Sequence, residues 1–171
     1  MPLPTLKTRR LTLRPLAMED APALHPWMSD PEVMRFWSTL PHKELAETEA
    51  WIRVSVEAQA EGAAHDFAVL HDGKVVGRMA FWQGSEIGFF FDPACQGQGF
   101  ASEALKAMIA YAFDTLGFDE ITADVDPDNE SSLRLLTRNG FIRTGFAKDT
   151  FEIGGKSFDS VYLALRKQRG A

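Results

Sequence analysis

Four residues near the middle of the chain, Gln96-Gly97-Gln98-Gly99, carry the strongest chemical signal in the sequence. On one side lies Ile87 to Phe91, an apolar run with three phenylalanines, bounded by Gly84 and by Asp92-Pro93, which reads as a largely buried strand. On the other side, Ala101, Ala104, Leu105, Met108, Ile109, Ala112, Phe113 and Leu116 recur at the i, i+3, i+4 spacing of one helix face. A loop with no bulk at alternate positions therefore feeds a helix N-terminus. There the first N–H groups lack partners, and the aligned peptide dipoles present about half a positive charge. A phosphate is the anion such a place receives. An ordinary strand-to-helix turn can use the same glycines, so the flanking residues must decide.

Those flanks are informative. DPACQGQGFASEAL resembles the acyl-CoA pyrophosphate loop of the GNAT superfamily of N-acetyltransferases, whose pattern is Arg or Gln, two residues, Gly, one residue, Gly or Ala. Gln96, Gly99 and Ala101 fill those positions in order. Asp128-Asn129-Glu130-Ser131-Ser132, followed by Leu133, Leu135, Leu136 and Asn139-Gly140-Phe141, looks like the family's asparagine-containing helix. The opening TRRLTLRPLAMEDA, with Arg9, Leu11, Leu13 and Arg14-Pro15 before an acidic helix start, is similar to the branch of ribosomal-protein alanine and serine acetyltransferases (RimJ and RimL).

The resemblance implies an α/β fold: one mixed, mostly antiparallel seven-stranded sheet with helices on both faces, in a single domain over residues 1–171. It also implies a parallel strand pair that splays apart near the loop and frees backbone groups for the pantetheine amides. The cosubstrate would be acetyl-CoA, with no metal. Cofactor-binding positions then fall on Phe89, Phe90 and Phe91 of the Phe-rich strand, on Gln96, Gly97, Gln98, Gly99, Phe100, Ala101 and Ser102, and on Asn129 and Ser132. A backbone N–H of the Phe89 to Phe91 strand would serve as oxyanion donor.

Acetyl transfer to an amine makes three demands: the acceptor loses a proton, the thioester carbonyl is polarised, and the sulfur leaves. A lysine-type amine with pKa near 10.4 is neutral about one time in 10³ at neutral pH, whereas an α-amine near 7.7 to 8.0 is neutral roughly 10% of the time. A strong base is therefore optional for α-amines. A thiol pKa near 8.5 makes the thiolate a tolerable leaving group, so positioning and an oxyanion donor can carry most of the reaction. Many GNAT members place a tyrosine seven residues after the asparagine as general acid; Leu136 stands there in this chain. In the ribosomal-protein branch a serine three residues after the asparagine has that role, and Ser132 matches it, although Ser132 with Asn129 would equally cap the helix. Glu86, at the start of the Phe-rich strand, is the candidate base, ahead of Asp149 and Glu152. Phe36 and Trp37, between the first two helices, are candidate acceptor-site walls together with Trp82 and Glu86; core packing is the alternative for the aromatic pair. Leu136 keeps a non-catalytic acyl-CoA-binding module in view. The acceptor is expected to be a protein N-terminal α-amine or another primary amine, polyamines included.

Composition narrows the rest. A chain of 171 residues with 45% hydrophobic residues can fill one core. A formal charge of −6 argues against nucleic acid as a partner. One cysteine, Cys95, cannot form an internal disulfide and reads as a packing residue. No run is long enough for a membrane helix, and no secretory leader is visible, so a cytoplasmic protein, monomer or homodimer, is expected. His25, His42, His65 and His71 lack ligand spacing. Strands are expected at Leu11–Arg14, Phe67–Leu70, Val75–Trp82, Ile121–Val125, Phe141–Phe151 and Ser157–Leu165, and helices at Met18–Ser29, Lys43–Glu61 and Ser131–Asn139.

Overall fold

Leucines at 11 and 13 alternate with Thr12 and Arg14, and the alternation turns both leucines into the core while the polar pair stays half-buried. In the computed structural model, which describes residues 2–170, this segment is β2 (Leu11–Pro15), second in an antiparallel sheet ordered β1 (Leu6–Lys7), β2, β3 (Ala64–His71), β4 (Lys74–Trp82) and β5 (Ile87–Phe91). Asp72 and Gly73, at φ 50° and 75°, make the two-residue turn between the paired His71 and Lys74. Positive φ at both turn residues is what a tight hairpin of this hand requires.

A second antiparallel sheet has the order β6 (Glu120–Val125), β8 (Lys156–Arg166), β7 (Ile142–Ile153). The strand expectation of seven becomes eight because of β1, two residues long, and the one expected sheet is divided into two. The parallel pairing of β5 with β6 is reduced to a single bridge between Glu86 and Thr122, where Thr122 N donates to Ser85 O at 3.1 Å. Beyond that bridge the two strands part, as the resemblance implied.

Helices cover both faces. A 3-10 turn at Met18–Asp20 leads into α1 (Ala21–Met28), and α2 (Leu45–Ala60) lies beside it. Their inner residues Leu24, Met28 and Ile52 pack with Leu16, Met34, Ala68 and Phe90. The end of β2 is tied to α1 by Arg14, which donates to both oxygens of buried Asp20 at 2.9 and 2.6 Å. On the opposite face, α3 (Phe100–Ala110) and α4 (Glu130–Arg138) bury Leu105, Met108 and Leu136 against Leu11, Phe67, Met79, Phe81 and Phe141. The helix expected to run on to Leu116 instead widens into a π turn at Tyr111–Thr115, where Leu116 N bonds Tyr111 O at 3.0 Å.

The strand that borders the gap is held in place by a close approach. Gly77 on β4 pairs with Phe91, and a Cβ there would lie 2.5 Å from Phe91 Cδ1 and 2.8 Å from Phe90 O. Backbone cannot yield as a flexible side chain can, so Gly77→Ala is expected to cost about 1 to 3 kcal/mol of stability. Urea unfolding should show a lower midpoint with an unchanged slope; an unshifted midpoint would mean that β5 can move aside.

Candidate active site

After β5 the chain makes its last rung to β4, Asp92 N to Val76 O at 2.8 Å, and the Asp92 carboxylate then accepts from Ala94 N at 2.9 Å. This caps a short turn, Pro93–Cys95. The following residues, Gln96 to Gly99, are all exposed, with Gly97 and Gly99 in the left-handed region at φ 81° and 79°. Gly99 is the N-cap of α3, and its carbonyl accepts from Glu103 N at 3.0 Å. The amides of Phe100, Ala101 and Ser102 come before that first intrahelical bond, so they are donors available to an anion.

Side chains around the loop have separate duties. The Phe100 ring is buried in the core, lying 4.6 Å from the His71 ring with the Arg10 guanidinium 4.8 Å from its centroid. Its contribution at the loop is therefore its amide, with the ring anchoring the helix start. The Ser102 hydroxyl accepts from Asn139 Nδ2 at 3.2 Å, joining the first turn of α3 to the end of α4. Arg10, which carries no signal in sequence, reaches the same corner. It bonds Glu103 through Nε at 2.9 Å and through its backbone N–H at 3.0 Å.

Among the described residues, the edge of β5 that faces β6 has no partner strand beyond the Glu86–Thr122 bridge. Along this strand Phe89 and Phe91 pack toward α3, whereas Phe90 turns to the other face and is buried among Trp27, Trp37 and Trp51. Across the gap, Asn129 caps α4 by accepting from Ser132 N at 3.2 Å. The cap oxygen is thus Asn129's, and the Ser132 hydroxyl takes no part in it. Leu136, at the position where the resemblance implied a tyrosine, is fully buried. Of the two tyrosines, Tyr111 is buried beside His65, and Tyr162 is exposed on β8 opposite Asp124.

Glu86 stands at the bridge itself. Its carboxyl is pushed above the ordinary range, first by desolvation and then by the nearby Asp124 carboxylate, although the residue as a whole is exposed. Trp82 and Glu86 flank one tight turn, closed by Trp82 N donating to Glu86 O at 3.1 Å. Trp37 lies edge-on to Phe90 at 5.2 Å. The buried guanidinium of Arg78 lies 4.8 Å from the Trp51 ring and 5.6 Å from the Trp37 ring, and it bonds both oxygens of Asp66 at 2.8 and 2.6 Å. Ser55 donates to the same carboxylate. Phe36 is half-buried, with its own neighbour Arg35 stacked on it at 4.8 Å. Asp149 and Glu152 are exposed on β7.

The family profile described as "Acetyltransferase (GNAT) domain" matches residues 10–142. The chain belongs to the GNAT acetyltransferase family. This GNAT chain is 32% identical over 175 residues to the uncharacterized N-acetyltransferase p20 of Bacillus licheniformis, covering 98% of each. It is 26% identical to the spermidine N(1)-acetyltransferase of Escherichia coli (strain K12), over 90% of this chain and 84% of that one. In fold it is similar to RimL, a ribosomal L7/L12 alpha-N-protein acetyltransferase solved in complex with coenzyme A, with TM-score 0.84 at 20% identity over 95% of this chain and 98% of that one. Like its family, it is an N-acetyltransferase that moves an acetyl group to an amine. Among the described residues of this acetyltransferase, no helix is long and apolar enough to cross a membrane, and no three His, Cys, Asp or Glu side chains are grouped to hold a metal.

Proposed function

We propose that this acetyltransferase binds acetyl-CoA with the pyrophosphate on the Gln96–Gly99 loop and the pantetheine arm along the unpaired edge of β5, and that it acetylates the primary amine of a small molecule or a peptide N-terminus. The observation that carries this reading is the coincidence of two features at one end of β5. One is a strand edge left open by a single bridge, and the other is a left-handed glycine loop delivering free amides at the start of α3.

The residues divide the work by position. Amides of Phe100 to Ser102 bind phosphate oxygens, and Phe100 itself contributes no side chain there because its ring is committed to the core. A backbone N–H of Phe89 to Phe91 donates to the thioester oxygen as it takes on negative charge, an interaction that strengthens toward the transition state. Ser132, whose hydroxyl is free of cap duty, delivers a proton to the leaving sulfur. Glu86 takes the proton from the acceptor amine, and its raised pKa brings its basicity closer to the amine's. Trp37 and Phe36 form a wall on the acceptor side, and Trp82 supports the turn that presents Glu86.

Titrating acetyl-CoA against a panel of amines, with free thiol followed optically, tests the proposal. Amine-dependent thiol release supports it. Tight coenzyme A binding without release from any amine would favour a non-catalytic acyl-CoA-binding module, the reading that buried Leu136 in the usual tyrosine position also suits. The role of Glu86 has its own signature. A base with a raised pKa is active when deprotonated, so activity should fall as pH drops through a value above 4.5. Because ionisation of the acceptor amine also depresses kcat/KM at low pH, the wild type should show the steeper acid limb. Glu86→Gln should remove the extra steepness and lower the plateau by about 10²- to 10³-fold. An unchanged profile would leave Glu86 without a catalytic role.

A further inference from the structure

The loop assigned to the pyrophosphate has no cation of its own. Positions 96 and 98 are glutamine, and residues 92–102 contain one acidic residue, Asp92, and no lysine or arginine. With a formal charge of −6 on the whole chain, the long-range field does not attract a polyanionic cosubstrate either. Yet a cation stands at the loop, contributed from the far end of the sequence. A Cβ built on Gly99 would lie 3.3 Å from Arg10 Nη2, which places that nitrogen against the N-cap of α3.

This is an unfavourable place for a guanidinium. The N-terminus of α3 is the positive end of its dipole, so a cation there is repelled unless an anion lies between. Glu103 relieves part of that repulsion, holding Nε at 2.9 Å and the Arg10 backbone N–H at 3.0 Å, and the Phe100 ring supports the guanidinium plane from below at 4.8 Å. These contacts fix the side chain by its Nε edge. The terminal nitrogens remain toward the loop, and the side chain is 39% exposed, so an incoming anion can reach it. Stacking, one tethered edge and one open edge form the geometry in which arginine reads a phosphate with two parallel N–H donors.

We propose that Arg10 is a phosphate-binding residue of the acetyl-CoA site, directing its terminal nitrogens at the pyrophosphate held by the Gln96–Gly99 loop. The proposal rests on the assignment of that loop to coenzyme A. It explains why glutamines suffice at positions 96 and 98, and why position 99 is glycine: a side chain there would push the guanidinium out of line.

The test compares ligands that differ in their phosphates. Arg10→Gln should weaken calorimetric binding of coenzyme A by about ten- to a hundredfold, the loss expected for a charge-assisted hydrogen bond. The same loss should appear with 3′-dephospho-coenzyme A, which keeps the pyrophosphate. S-acetylpantetheine has no phosphate, and its kcat/KM should not change. Equal losses with acetyl-CoA and S-acetylpantetheine would reduce Arg10 to a structural tie and overturn the proposal. A loss confined to coenzyme A and absent with the dephospho ligand would assign Arg10 to the 3′-phosphate and overturn it too. Should Arg10→Gln not fold, Arg10→Lys is decisive, because it keeps the charge but gives up the two parallel N–H donors. Weaker coenzyme A binding with unchanged kcat/KM for S-acetylpantetheine is expected, and unchanged coenzyme A binding refutes the phosphate contact. Wild-type protein that fails to bind coenzyme A would instead remove the loop assignment itself, whereas wild-type binding matched by Arg10→Gln would remove only the role of Arg10.

Discussion

Gly99→Glu is expected to abolish coenzyme A binding while leaving the chain folded. At φ 79° this residue is left-handed, and a side chain would strain the backbone by about 1 to 2 kcal/mol, within what a folded domain withstands. The larger effect is chemical. A carboxylate at the N-cap of α3 would sit on the helix's own free amides and within reach of Arg10, satisfying with an internal anion the donors that the cosubstrate needs. Gly99→Ala separates strain from charge: it imposes the same backbone conformation and the same crowding of Arg10 without a competing anion, so it should weaken binding only in part. Circular dichroism establishes that both variants fold, and calorimetry with coenzyme A reads the result. Wild-type affinity in Gly99→Glu would take the loop out of the account.

Ser132→Ala should lower kcat by about 10²- to 10⁴-fold with little change in acetyl-CoA affinity, as loss of a general acid predicts. The structure sharpens this experiment. From sequence, Ser132 serves equally well as cap or as acid, and a cap role would show as lost stability. In the fold the cap oxygen belongs to Asn129, and Ser132 contributes only the backbone N–H that alanine retains. The melting temperature of Ser132→Ala should therefore stay near that of the wild type. Asn129→Ala is the matching control; it removes the cap and should cost about 1 kcal/mol of stability. A fully active Ser132→Ala enzyme would leave the thiolate to depart without protein assistance from this position.

What could be read from the sequence was whatever local chemistry specifies. The Phe-rich strand lies at Ile87–Phe91 as expected, because its limits are set by turn residues on both sides. The Asp72-Gly73 hairpin forms for a similar reason. Strand β1 has no signature in the sequence because two residues, Leu6 and Lys7, are too few to show alternation. Strand β3 begins earlier than its apolar run suggests. Asp66, a charged residue of the kind that reads as a loop, is buried because Arg78 of the neighbouring strand neutralises it. Phe100 precedes the helical period and so looks like part of the loop in sequence, yet its ring belongs to the core. Arg10 was illegible for a different reason: its partner Glu103 is 93 residues away, and no local pattern encodes such a pairing. Strand spacing predicts parallel pairing of β5 and β6 but not where that pairing stops; the splay near the loop was implied by the family resemblance alone.

That stopping point has a thermodynamic side. Two separately packed cores stand on the two faces of the first sheet, and the second sheet is held by the core shared with α3 and α4, so β5 and β6 are kept apart by packing whether or not anything lies between them. A ligand with peptide-like amide groups would enter as a surrogate strand whose neighbour is already fixed. The chain would then spend little of its own conformational freedom on recognition, and the affinity of the contacts would be kept instead of being consumed in ordering a mobile segment.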